Sequence, residues 1–202
     1  MTFATVESAA TQNLGANSVN HNVTMDATVN SGDGLVVAII VNSNTTFTTP
    51  LGWTSEVQRN DAVPSCRVAV FKRVADGTEG GTSVNFITAS SCGGTVHKWR
   101  LSNWWGVLDG IESSSSNGAD PPSLTPSWGA LDTTFFAIVA DDTTSWSGLT
   151  APANYSNILS SFNGGTFDQD GSMASARREL NDVSDNPGTF GNGGGEIGRA
   201  HV

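Results

Sequence analysis

Apolar stretches of 5 to 9 residues recur along the chain, each bounded by Gly, Pro, Asn, Asp or Ser. That rhythm predicts short β-strands separated by turns, as in a sandwich or barrel. Strands are expected at 3–7, 19–29, 35–42, 53–58, 66–75, 83–88, 95–102, 133–140, 155–161 and 172–180, with no long helix. Val23, Met25, Ala27 and Val29 alternate with Thr24, Asp26 and Thr28, so that strand should have one buried and one wet face. By contrast "LVVAIIV" (35–41) and residues 135–140 are apolar at both parities, which requires cover on both faces. In a two-layer sandwich the outer cover must come from a terminal arm, a loop or a neighbouring subunit. The last option would make this an assembling protein.

Between two of the expected strands lies "TTPLGWTSEVQ" (48–58). Pro50 cannot donate to a ladder and Gly52 can take positive φ, so the Pro-Leu-Gly segment must turn the chain and launch a strand at Trp53. An indole at such a corner caps the core with its body buried and its N–H bonded at the rim; the alternative is that it stacks on a sugar ring. The second half of the chain echoes the first. "GDGLVVAIIV" resembles "LDTTFFAIVA", "TTPLGWTSEVQ" resembles "LTAPANYSNIL", and "CRVAVFKRV" resembles "GSMASARREL". Asp33, Pro50 and Trp53 then answer to Asp132, Pro152 and Tyr155. Two similar halves facing one another predict an all-β, jelly-roll-like sandwich spanning residues 1–195.

Composition agrees with strands and turns: of 202 residues only 14% are charged and 23 are glycine. The formal charge of −10 repels polyanions, so nucleic acid is not an expected partner. The longest apolar run is far below the ~20 residues that span a bilayer, and the first residues lack the basic start and apolar middle of a signal peptide. No membrane partner is expected. Cys66 and Cys92 lie on either side of a hairpin centred near Glu79, which would bring them almost opposite each other. A disulfide closing that loop would add about 3 to 4 kcal/mol, and two buried free thiols are the alternative.

The final residues, "EIGRAHV" (196–202), resemble the translation of a common sequencing-library adapter. On that reading they lie outside the fold, the natural frame breaks off near residue 195, and a last strand is missing.

The succession of "LVVAIIV", "TTPLGWTSEVQ", "VAVFKRVADGTEGGTSVNF" and "VHKWRLSNWWGV" resembles a family of phage and prophage structural β-domains with a P-x-G-W-T turn and a K/R-V-A-D-G-like turn. The likeness is good over 35–107 and loose elsewhere. It implies a tail-fibre, head-decoration or other virion-surface protein, made in the host cytoplasm and carried on the virion. Its partners would be other virion proteins, with a homotrimer as one assembly and a host surface glycan as a further ligand. In that family the residue at Trp53 packs the core.

For catalysis the chain offers little. There is no G-x-S-x-G elbow, and His97 shares strand parity with Trp99 and Leu101, where a hydrogen-bonded structural role is expected. Asp168, Asp170, Ser172 and Glu179 fall at calcium-loop spacing, but Met173 stands where that loop needs glycine, and a hairpin turn is the better account. No cofactor is expected and no enzyme activity. The ligand-binding candidates are aromatic: Trp104 and Trp105 at a strand end, with Trp128 and Trp146 near turns, could stack on sugars. Adjacent strand residues point to opposite faces, so Trp104 and Trp105 should not share one platform. The expected function is attachment within a virion, the alternative a carbohydrate- or receptor-binding module of a phage fibre.

Overall fold

The two runs that are apolar at both parities become the central strands of two five-stranded sheets. In a computed structural model, which describes residues 2–15, 17–62, 65–115, 119–141, 148–163, 171–191 and 197–202, the chain is all β. Its strands are β1 (Thr5–Asn13), β2 (Ser18–Thr24), β3 (Gly34–Val41), β4 (Phe47–Thr48), β5 (Thr54–Ala62), β6 (Ser65–Val74), β7 (Ser83–Cys92) and β8 (Gly94–Ser102). There follow β9 (Ile111–Ser115), β10 (Leu131–Asp141), β11 (Ser156–Asn163), β12 (Gly171–Asp182) and β13 (Ile197–His201). Each expected strand has a counterpart, but the one expected at 19–29 ends at Thr24 with Ala27 exposed beyond it; β4, β9 and β13 are additional. Among the described residues no helix is long and apolar enough to cross a membrane.

One sheet has the order β1-β8-β3-β6-β5, a second β11-β12-β10-β13-β9, and a small third sheet β2-β7-β4; among the described residues these strands pair antiparallel. The β1-β8, β2-β7 and β3-β6 pairs are those of an eight-stranded jelly roll. These pairs lie within the first half, over residues 5–102, where β5 joins β6 in the large sheet and does not pair with β4, and the two halves face one another through their large sheets. The first half's large sheet packs the odd side chains of β3 (Leu35, Val37, Ile39) against Val23, Phe47 and Phe86 of the small sheet. The even ones (Val36, Ala38, Ile40) meet Phe136, Ile138, Ala140 and Met173 of the second large sheet. Both faces of β3 are thus covered by the chain itself. The outer face of β10 is covered by loop residues Ala119, Leu124 and Phe190.

The echo in the sequence is a repeat of topology. Taken from its other edge the second sheet runs β9-β13-β10-β12-β11, the order of β1-β8-β3-β6-β5. The small sheet recurs as two isolated bridges, Leu124↔Asp185 and Thr150↔Gly191, in the loops that correspond to β2, β7 and β4. Burial shifts one block by a residue: Phe135 and Ala137 face outward like Leu35 and Val37, although the letters pair Phe135 with Val36. The terminal segment, expected to lie outside the fold, pairs with β10 and β9, the slot that β8 fills in the first half.

Candidate functional site

The Pro50–Trp53 and Arg73–Glu79 turns meet in one corner. The Trp53 amide donates to the Pro50 carbonyl at 3.1 Å, and Gly52 takes φ +80°. A Cβ at Gly52 would lie 3.0 Å from an Arg73 guanidinium nitrogen, so the turn is seated on that side chain. Arg73 in turn pairs with Asp76 at 2.9 Å and with the buried Glu79 at 2.7 Å, while Glu79 accepts from the amides of Asp76 and Gly77. Hydrogen bonds from Thr78, ahead of the Arg73 charge, hold the Asp76 carboxyl below its usual range. Trp53 is buried with its ring 5.4 Å from that of Phe86 in an edge arrangement, which is the core-capping role. Its N–H, expected to be bonded at the rim, has no partner among the described residues. The second half repeats the corner. The Tyr155 amide donates to the Pro152 carbonyl at 3.0 Å, Asn154 takes φ +68°, and Arg178 pairs with the buried Asp185 at 2.7 Å.

The histidines are buried. His97 is fully buried between the large sheets, its Nδ1 2.7 Å from Ser175 Oγ and its Nε2 2.9 Å from Ser161 Oγ. Burial pushes its pKa down to about 3, so the ring is neutral and one nitrogen donates while the other accepts. His21 contacts Thr88 at 2.9 Å and is lowered to about 4, again by burial. Cys92, whose thiol burial pushes up, lies beside them, while Cys66 belongs to the core on the other side of the first sheet. Cys66 and Cys92 are not bridged to one another: β6 and β7 lie in different sheets, so the hairpin that would have brought the cysteines together does not form. Tyr155 donates to Asp185 and lies 2.9 Å from His201 Nε2, and its hydroxyl is held far above its usual pKa first by burial and then by that carboxylate. Burial lowers His201 to about 4 against the opposing pull of Asp185. Asp168, Asp170 and Trp146 lie outside the described residues; Ser172 and Glu179 are in β12.

The aromatic candidates converge on a cleft of about 130 Å³ at the end of the two large sheets, where β8 finishes and β10 begins. Trp104, Trp105 and Trp128 line it, with Leu101, Leu108 and Phe136 of the inter-sheet core behind them. Asn103, Asp132 and Thr134 supply polar groups. The rule that adjacent strand residues diverge does not apply to Trp104 and Trp105. Asn103 at φ 53° and Gly106 at φ 77° take the chain out of the strand on either side of them. Trp104 lies flat over Gly34, where a Cβ would come within 2.4 Å of the indole, and its N–H donates to the Gly32 carbonyl at 3.2 Å. Trp128 donates to Thr133 Oγ1 at 2.9 Å. Trp105 is 68% exposed. Trp104, Trp105 and Trp128 were candidates in sequence, but Trp104 and Trp105 were expected to diverge and instead line one cleft; the contribution of Asp132, at the start of β10, carried no local signal.

Comparison with protein-family models, with curated proteins and with solved structures finds no match to this chain.

Proposed function

We propose that this is a virion-surface structural β-domain of a tailed phage that works by attachment to neighbouring proteins. The observation that carries the reading is an apolar patch at one end of the molecule. Trp105, Val107 and Val74 are 68, 52 and 53% exposed, and Val74 Cγ2 lies 3.5 Å from the Cβ position of Gly106, between the other two in sequence. Leu51, on the Pro-Leu-Gly turn beside Arg73, is 98% exposed. Isolated exposed apolar side chains are ordinary, but neighbouring ones mark a contact surface. Both faces of the apolar runs in β3 and β10 are covered by the chain itself, so the end patch is where attachment would bury new area, at about 25 cal/mol per Å² before entropy is subtracted. The tail-fibre and head-decoration likeness of the two turn motifs supports the same reading, and the net charge of −10 keeps the remaining surface soluble.

Two measurements test it. The gene is expected to lie beside capsid or tail genes, and antibody raised against the chain is expected to label virions in negative stain. A neighbourhood of metabolic genes with unlabelled particles would remove the proposal.

A further inference from the structure

The tryptophan cleft has a composition that goes beyond an attachment patch. Two of its indoles have their N–H groups committed to the protein, Trp104 to Gly32 and Trp128 to Thr133, so what they offer the cleft is ring surface. Asp132 is the one charged side chain among the described residues that line it, and no cation faces it there. Its Oδ1 accepts from Asn181 Nδ2 at 2.8 Å, which leaves acceptor capacity on a carboxylate that can take about four hydrogen bonds.

These facts select a ligand chemistry. A wholly apolar ring would remove water from the Asp132 carboxylate and return no donor, which is costly. An anionic ligand would meet that carboxylate with no compensating cation, in a chain of net charge −10. A neutral sugar has what the walls ask for, an apolar C–H face and a hydroxyl edge. The volume of about 130 Å³ is close to the ~150 Å³ of a cavity that takes one benzene ring, which suits a single sugar ring.

We propose that the cleft binds the terminal, uncharged pyranose of a glycan, with the ring against Trp105 and a hydroxyl donating to Asp132. The cleft shares Trp105 and Val107 with the attachment patch, so one surface serves both readings, but sugar binding is measured on the free chain and virion location by gene neighbourhood and labelling, so their failures are separable.

The test is proton NMR of the full chain, following the indole N–H resonances while methyl pyranosides of glucose, galactose, mannose and N-acetylglucosamine are added at millimolar concentration. N-acetylneuraminic acid and phenol serve as comparators. At least one neutral pyranoside is expected to give a saturable shift, weakened about tenfold or more by Trp105→Ala. Asp132→Asn is expected to weaken it several-fold, and N-acetylneuraminic acid to give none. Trp105 is 68% exposed, so the alanine variant is expected to retain the wild-type amide spectrum. If no neutral pyranoside shifts an indole, or the shift survives Trp105→Ala, the proposal falls. Saturation by phenol with the sugars silent would overturn it in favour of a socket for an apolar side chain.

Discussion

Trp53 and Trp104 show two ways in which one residue type closes a core. Trp53 fills the mouth of the first jelly roll against Phe86, so Trp53→Ala leaves a cavity that its neighbours cannot collapse into. A loss of about 3 to 5 kcal/mol is expected, read as a lowered urea midpoint. Trp104 depends on the absence of a side chain beneath it: Gly34→Ala drives a methyl into the indole, with an expected cost of about 1 to 3 kcal/mol. The same variant should displace Trp104 from the cleft and blue- or red-shift its fluorescence, which checks that the clash falls on this ring. His97 gives a pH dependence whose sign follows from burial. In the unfolded chain it takes a proton near pH 6.5, in the folded one only near 3, so between those values the unfolded state binds more protons and stability falls as pH falls. The slope from this residue is about 1.4 kcal/mol per pH unit, with His21 adding in the same direction. Thermal midpoints measured from pH 7 to pH 4 should drop. A His97→Gln variant, less stable at pH 7, should show a shallower drop; an equal slope would mean that His97 is not the group titrating.

At the scale of elements, strands were legible where apolar residues ran or alternated, and missed where they did not. β9 reads "IESSS", β4 has two residues, and neither carries a periodic signal. The double apolar faces of β3 and β10 were also legible, but what covers them was not. A third sheet built from β2, β7 and β4 is made by long-range pairing, such as Val23 with Val84, that no local pattern records. The same limit applies to the cysteines, whose spacing fitted a hairpin that the topology divides between two sheets. In the cleft, aromatic residues could be read from sequence, whereas the positive φ of Asn103 that lets Trp104 and Trp105 share it could not. The corner formed by Gly52, Arg73 and Glu79 was legible as two turns and not as one contact. It makes a prediction at this scale: Glu79→Gln removes the charge that Arg73 and two backbone amides share, at an expected cost of about 2 kcal/mol. Since β4, β5 and β6 all end at that corner, hydrogen exchange should rise in the 50–54 and 72–79 segments together. Protection unchanged at 50–54 would show that the two turns are not coupled.

For the whole molecule, the repeat decides what the terminal segment does. The second half needs a strand between β9 and β10 because the first has β8 between β1 and β3, and residues 197–201 fill that slot. A ladder is made of backbone groups that any non-proline residue carries, so the slot is filled whatever the origin of those letters. The repeat also makes the junction between halves resemble a dimer interface. Across it Trp99 lies 4.9 Å from Phe136, and His97 bonds Ser161 and Ser175. Alone, the first half would expose Val36, Ala38, Ile40, Val68 and Val70 on one sheet face, an apolar surface that a soluble monomer does not sustain. Yet its small sheet and corner are complete without the second half. Chains covering 1–109 and 110–202, cut in the connection between β8 and β9, should therefore bind a hydrophobic dye when separate. Produced together, they should copurify, lose dye binding and regain the near-ultraviolet dichroism of a packed Trp99. A dye-silent, monomeric first half would mean that its outer face is covered from within, and the description of two large sheets packed face to face would have to give way.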